Sequence, residues 1–180
     1  MKPGNKNSFK SLKSIKISGF NVTVPHKIEI MKFLDDVDES CKLIGAANTI
    51  VNDNDSLKGY NTDMDGFLEP IKNRDISIKD SNILLIGAGG ASRAIITGFA
   101  KEHAKKITII NRTIQKAIEL TKFSQNLALE SETIPIEECE KLNESYDFIV
   151  NASSLGLKKE SNIVPSNLMN DDTVFYDIVY

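Results

Sequence analysis

The sequence is poor in the residues that build metal centres and disulfide frameworks. Among its 180 residues are two cysteines and two histidines. Cys41 and Cys139 lie far apart, and neither belongs to a Cys-x-x-Cys or Cys/His cluster. They read as free, reduced thiols of a cytoplasmic protein. His26 and His103 stand alone in the sequence, which argues against a histidine-rich metal site, so no metal is expected. No apolar run approaches the ~20 residues that span a bilayer. The polar start, MKPGNKNSFK, has no apolar centre of the kind a secretion signal carries. Basic charge is not in excess either, since the formal net charge is −3. Nucleic acid and membrane are therefore not expected partners. What remains is 41% hydrophobic and 26% charged, a composition that supports a buried core rather than disorder. The length allows one domain or two small ones.

The most informative stretch is Ser81 to Thr113, SNILLIGAGGASRAIITGFAKEHAKKITIINRT. Asn82 to Ile86 is an apolar run of the kind found in buried parallel strands. Gly87 permits a tight turn, and Gly89 leaves room for a pyrophosphate to approach the backbone. The third position of the pattern is Ser92, small enough for a helix to pack on the strand. The helix start would then aim its N–H groups at the phosphate. Ala91, Ala94, Ile95, Gly98 and Phe99 share one helical face. The second strand, Ile107 to Ile110, ends about twenty residues on, where such a site reads the adenosine ribose. An NAD site would place an acid there. This chain has Asn111, Arg112 and Thr113, with Lys116 a turn later. Cations without an acid suit a 2′-phosphate, which a guanidinium can grip through two hydrogen bonds. The residues thus favour NADP(H) over NAD(H). A glycine turn of this kind in a domain that binds another ligand, or none, remains the alternative.

Taken in order, the chain begins with a lysine- and serine-rich segment. In it, Phe9, Leu12 and Ile15 have helical spacing. Gly19 to Val24 alternates and reads as a strand. Pro25 suits the first turn of a helix through HKIEIMKFLDD, with Ile28, Met31 and Leu34 on one face. Ile44 to Val51 and Leu57 to Tyr60 read as strands joined by the turn NDNDS. Asn61, Thr62 and Asp63 form an N-cap cluster before a helix containing Phe67, Leu68 and Ile71, made irregular by Pro70. The polar stretch Lys72 to Ser81 marks a domain boundary. Residues 1–76 then form a smaller α/β domain, and residues 77–180 a Rossmann-like domain with a parallel sheet. In the latter, Ile114, Ala117 and Ile118 mark a helix. Strands follow near Glu132 to Ile136, Tyr146 to Val150 and Val174 to Ile178, with a short helix over Pro165 to Met169.

Three compact polar motifs stand out in the first domain: NVTVPHK (Asn21–Lys27), GAANT (Gly45–Thr49) and GYNTD (Gly59–Asp63). Each sits where a strand gives way to a turn or helix, and together they suit a small polyhydroxylated ligand. Singly, Lys27 reads as a solvated lysine, Asp63 as a helix cap, Asn48 and Thr49 as turn residues, and Thr23 as an outward strand residue. His26 reads either as a base or as a residue facing away from the site.

Joined to LLIGAGGASRA, NRT, NASSLG and YDIVY, these motifs closely resemble the shikimate dehydrogenase family, from about Gly19 to Tyr180. The resemblance implies NADP(H)-dependent, reversible reduction of 3-dehydroshikimate to shikimate, a step of aromatic amino acid biosynthesis. It implies Lys27 as the catalytic lysine and Asp63 as its partner. Thr23 and Asn48 would bind substrate hydroxyls, and Tyr180 would touch the substrate. Gly87, Ala88, Gly89, Gly90 and Ala91 would hold the pyrophosphate. Asn111, Arg112 and Thr113 would hold the 2′-phosphate, with Lys116 standing where the family often has arginine. Ile178 would line the nicotinamide. Family members extend further at both ends, so the resemblance implies a chain truncated at both, with each domain incomplete. A catalytically silent NADP-binding fragment and a quinate/shikimate dehydrogenase are the alternatives. A homodimer is left open.

Overall fold

The computed structural model describes residues 17–153 and 166–178. Tyr180, the Ser154-Leu155-Gly156 end of NASSLG, and the helical spacing around Phe9, Leu12 and Ile15 lie outside them. The chain divides into two compact units, Met1–Gly66 and Phe67–Tyr180.

The first unit carries strands β1 (Gly19–Asn21), β2 (Asp36–Val37), β3 (Thr49–Asp53) and β4 (Ser56–Tyr60). They form one sheet in the order β1-β3-β4-β2. β3 runs antiparallel to both β1 and β4, and β2 runs parallel to β4. Asn54 and Asp55 make the β3–β4 turn with φ of 48° and 66°. Their short polar side chains tolerate that left-handed backbone better than most. Ile30, Cys41, Ala47, Ile50 and Leu57 form the core.

Two expectations fail here. The helix expected from Pro25 through Asp36 is reduced to a 3₁₀ turn over Glu29–Phe33. The free edge of β4 captures the next residues: Asp35 N–H donates to Leu57 O, and Leu57 N–H donates to the Asp35 carboxylate. Sheet pairing overrides local helix preference. The strand expected from Ile44 begins only at Thr49, because Ile44 ends helix α1 (Glu39–Ile44). Asp38 caps α1 by accepting the Cys41 N–H, and Gly45 (φ 70°) closes it. Cys41 and Ile44, three apart, bury one face of the helix.

Burial pushes the Cys41 thiol up to about 12, reinforced by the Asp38 hydrogen bond and charge. Burial, followed by the Glu140 charge, also raises Cys139. A raised pKa keeps the unreactive thiol form as pH rises. Neither cysteine should alkylate with iodoacetamide at pH 8 in the folded protein, and both should alkylate in urea. Mass-spectrometric modification of Cys41 in the folded protein at the rate of a free peptide thiol would contradict this.

The second unit is a five-stranded parallel sheet. Its strands are β5 (Asn82–Ile86), β6 (Lys106–Asn111), β7 (Glu130–Pro135), β8 (Phe148–Asn151) and β9 (Val174–Asp177). They lie in the order β7-β6-β5-β8-β9. Helix α2 (Asp63–Lys72) leads into the unit. Helices α3 (Ser92–Lys101) and α4 (Ile114–Asn126) make the β5–β6 and β6–β7 crossovers. Ile83–Ile86, Ile107–Ile110 and Phe148–Val150 are buried throughout, as strands covered on both faces must be. Phe67, Phe99 and Phe148 pack edge-to-face in series at 5.2 and 5.5 Å, and Tyr176 stacks on Phe67 at 5.0 Å. A short 3₁₀ helix over Ile136–Lys141, absent from the sequence pattern, covers one sheet face through Cys139.

Ala128 ends α4 with φ 58°, while Ala128 N–H and Leu129 N–H donate to Gln125 O and Ser124 O. Glycine is the residue this left-handed position favours. Ala128→Gly should stabilise the protein by about 0.5–1 kcal/mol, the steric gain less glycine's unfolded-state entropy. Urea denaturation checks it, and a lowered midpoint would reverse the assignment.

Candidate functional site

The first unit gathers one acid, one base and one amide. Lys27 follows the turn after β1, Asn48 immediately precedes β3, and Asp63 opens α2. Lys27 Nζ lies 2.7 Å from Asp63 Oδ2, with the side chains 12% and 22% exposed. Asn48 Nδ2 donates to Asp63 Oδ1 at 2.8 Å. Both carboxylate oxygens are thus held, one by an ammonium and one by an amide, in the charge-assisted geometry that gives short, directional bonds.

Asn48 is itself fixed on every side. Its Nδ2 also donates to Thr62 Oγ1, and its Oδ1 accepts from Thr62 N–H and Thr49 Oγ1. Its own N–H donates to Tyr60 O. Thr23 is exposed, and its carbonyl accepts the His26 N–H. Neither the Thr23 hydroxyl nor the His26 imidazole makes a hydrogen bond among the described residues. The structure therefore brings Lys27, Asn48 and Asp63 together and leaves Thr23 open to solvent. Sequence reasoning gave Asn61 and Thr62 only a helix-capping role, which the Asp63 N–H bond to Asn61 Oδ1 bears out, and passed over Ser40; the three form the hydrogen-bonded frame around Lys27, Asn48 and Asp63. The GYNTD motif contained the signal for two of them.

The second unit presents its site at the C-terminal ends of β5, β6 and β8. The chain leaves β5 for one side of the sheet and returns as β8 on the other, which makes this the topological switch point where ligands bind in open sheets. Gly87 turns there with φ 107°. A β-carbon on it would stand 2.7 Å from Ala152 C and Ser153 N. Ser92, fully buried, does more than stay small. Its hydroxyl accepts the Gly89 N–H at 3.0 Å and donates to Gly87 O at 3.1 Å. Asn111 Oδ1 accepts the Ala88 N–H, and its Nδ2 donates to Thr113 O. The glycine loop is thereby tied to the turn after β6. No acceptor for the N–H groups of Gly90 or Ala91 is found among the described residues.

Arg112, Thr113 and Lys116 are exposed, and neither cation is paired among the described residues. Asn151, at the end of β8, accepts from Ser153 and donates to Asp177. Ile178 N–H donates to Asn151 O, which sets Ile178 beside the same strand ends.

The glycine turn at the switch point of a parallel sheet places the second unit in the Rossmann class of dinucleotide-binding α/β folds. The smaller unit ahead of it narrows the class further. Residues 70–178 match the family model of shikimate/quinate 5-dehydrogenases, and residues 2–50 match that of the shikimate dehydrogenase substrate-binding domain. The chain belongs to the shikimate/quinate 5-dehydrogenase family. It is 58% identical over 169 residues to the NADP(+) shikimate dehydrogenase of Nitrosopumilus maritimus, covering 94% of this chain and 62% of that one. The crystal structure of the Aquifex aeolicus shikimate dehydrogenase superposes with a TM-score of 0.81 at 43% identity, covering 97% of this chain and 63% of that one. The Thermus thermophilus enzyme, solved with NADP(H) and shikimate, gives 0.77 at 31% identity, with 97% and 63% covered. The chain thus spans under two thirds of the length of these relatives. No helix among the described residues is long and apolar enough to cross a membrane.

Proposed function

We propose that the chain catalyses the reversible NADP(H)-dependent interconversion of 3-dehydroshikimate and shikimate. The observation that carries this reading is the Lys27–Asp63 pair at 2.7 Å, with Asn48 on the second carboxylate oxygen. Relatives named as NADP(+) shikimate dehydrogenases support it.

The residues present fit the cofactor. Gly87 and Gly89 keep side chains away from the loop, and the Gly90 and Ala91 N–H groups suit a pyrophosphate. Arg112, Thr113 and Lys116 suit the 2′-phosphate, with Asn111 holding their turn against the loop. Ile178 would line the nicotinamide. When bound, the nicotinamide supplies or accepts the hydride. The chain's own residues handle the proton. As the carbonyl carbon of 3-dehydroshikimate gains hydride, its oxygen gains a proton from the Lys27 ammonium. In the reverse direction, neutral Lys27 takes the hydroxyl proton. Asp63 orients Lys27 and, with Asn48, Thr23 and Tyr180, holds the substrate hydroxyls. Two buried free thiols fit a cytoplasmic setting.

The test is NADPH formation from shikimate and NADP⁺, followed by absorbance, with NADPH binding measured by fluorescence in the same preparation. Turnover with binding is the expected result. Binding without turnover assigns the chain to the silent NADP-binding reading. Loss of both in a folded sample removes the cofactor assignment. Arg112→Ala should weaken NADPH by about 10- to 100-fold and leave NADH nearly unchanged, the effect of losing a charged hydrogen-bond partner.

A further inference from the structure

We propose that Asn61 is a positioning residue that holds the Lys27–Asp63 pair in register. The proposal deepens the functional reading above and rests on it for the word catalysis, but its geometry stands alone.

Lys27 and Asp63 are 36 residues apart in sequence. Lysine has a long flexible stem, so a 2.7 Å contact persists only if the two backbones are fixed relative to one another. Asn61 supplies that fixation. It is 3% exposed. Its Oδ1 accepts the Asp63 N–H at 3.0 Å, and its Nδ2 donates to Ala46 O at 2.9 Å. The next residue, Ala47, donates its N–H to Lys27 O at 2.9 Å. A continuous path thus runs from the Asp63 backbone through the Asn61 amide and the Ala46-Ala47 peptide to the Lys27 backbone. Asn48, the next residue, completes the ring by donating to Asp63 Oδ1.

Asn61 is anchored in its turn. Its N–H donates to Ser40 Oγ at 3.3 Å, and the same hydroxyl lies 2.8 Å from the Asp38 carboxylate that caps α1. No other side-chain chemistry of this size serves both ends of the path. An amide offers an acceptor and a donor at once. Aspartate keeps only the acceptor, and alanine keeps neither.

The experiment measures per-lysine acetylation rates by mass spectrometry in the wild-type chain, Asn61→Ala and Asn61→Asp. In the wild type, Lys27 is protected by its partner and by burial. Asn61→Ala should raise the Lys27 rate about tenfold, as loss of a buried hydrogen bond implies. The other lysines should keep their rates. Asn61→Asp, nearly isosteric and still able to accept from Asp63 N–H, should fold and give a smaller rise at Lys27 alone. In parallel, both variants should lose shikimate turnover while NADPH affinity stays constant. An unchanged Lys27 rate in both variants overturns the proposal. So does a uniform rise at every lysine, which is the signature of general loosening. The labelling result does not depend on turnover, so an inactive wild-type chain would remove the shikimate dehydrogenase reading without touching this one.

Discussion

Replacing Lys27 by alanine should lower shikimate oxidation by about 10²- to 10⁴-fold, the range that a positioned proton-transfer group contributes. NADPH binding should stay within about twofold, because the residues that suit the cofactor, residues 87–91 and Arg112, belong to the second unit and Lys27 to the first. The structural reason for a loss this large is that, among the described residues, no second proton donor is hydrogen-bonded to the pair. The carboxylate partners of Asp63 are Lys27 and Asn48, and an amide N–H is far too weak an acid to serve as the proton donor at neutral pH. Among the described residues, the His26 side chain makes no hydrogen bond that would orient it toward Asp63. Asp63→Asn should also lower turnover, since Lys27 loses the partner that holds it. Stopped-flow absorbance of the variants, with NADPH fluorescence titration alongside, separates the outcomes. Equal losses in turnover and cofactor binding would remove Lys27 from the chemistry.

Gly87→Ala should cost the fold about 3–5 kcal/mol and abolish NADPH binding. Two penalties act at once. The φ of 107° lies where an L side chain is strained. The new β-carbon would also stand 2.7–2.8 Å from three backbone atoms of Ala152 and Ser153, and backbone cannot swing aside as a side-chain tip can. The strand ends that would have to move also carry the Ala152 N–H bond to Ile86 O and the Gly87 N–H bond to Ile110 O. Gly89→Ala is the control. A β-carbon there meets one atom, Ala152 O, at 3.3 Å. Its fold should be nearly unaffected while NADPH affinity falls. Urea midpoints and fluorescence titration of both variants test this. Equal stability of the two would show that the β5–β8 junction is looser than its geometry.

The parallel sheet of the second unit was legible because its three central strands, β5, β6 and β8, carry continuous buried apolar runs, with a glycine turn and an amphipathic helix after β5. β5 and the α3 face follow directly from NILLIGAGGASRA. The first unit was less legible. Its strands are short, and one of them, β2, is held by two residues paired to an edge. α1 escaped notice because DESCKLI offers only Cys41 and Ile44 to the core, too few for a periodic signal, while its caps, Asp38 and Gly45, look like ordinary loop residues. The role of Ser92 was only half legible, for a different reason. Its smallness is visible in the sequence, but the two hydrogen bonds of its hydroxyl depend on how the loop closes.

The chemistry of this protein is determined by the sequence itself. Residues of fixed type at fixed spacing (the glycines after β5, the cations after β6, the lysine and aspartate of the two polar motifs) carry their donors, charges and backbone freedom wherever the chain goes. The tertiary structure alone decided which of them meet. Lys27, Asn48, Asn61 and Asp63 converge because β3 pairs with β1 and β4 in one register, and a shift of one residue would turn every side chain of the strand to the other face. Contacts between residues tens of positions apart are set by that register, and local sequence holds no record of it.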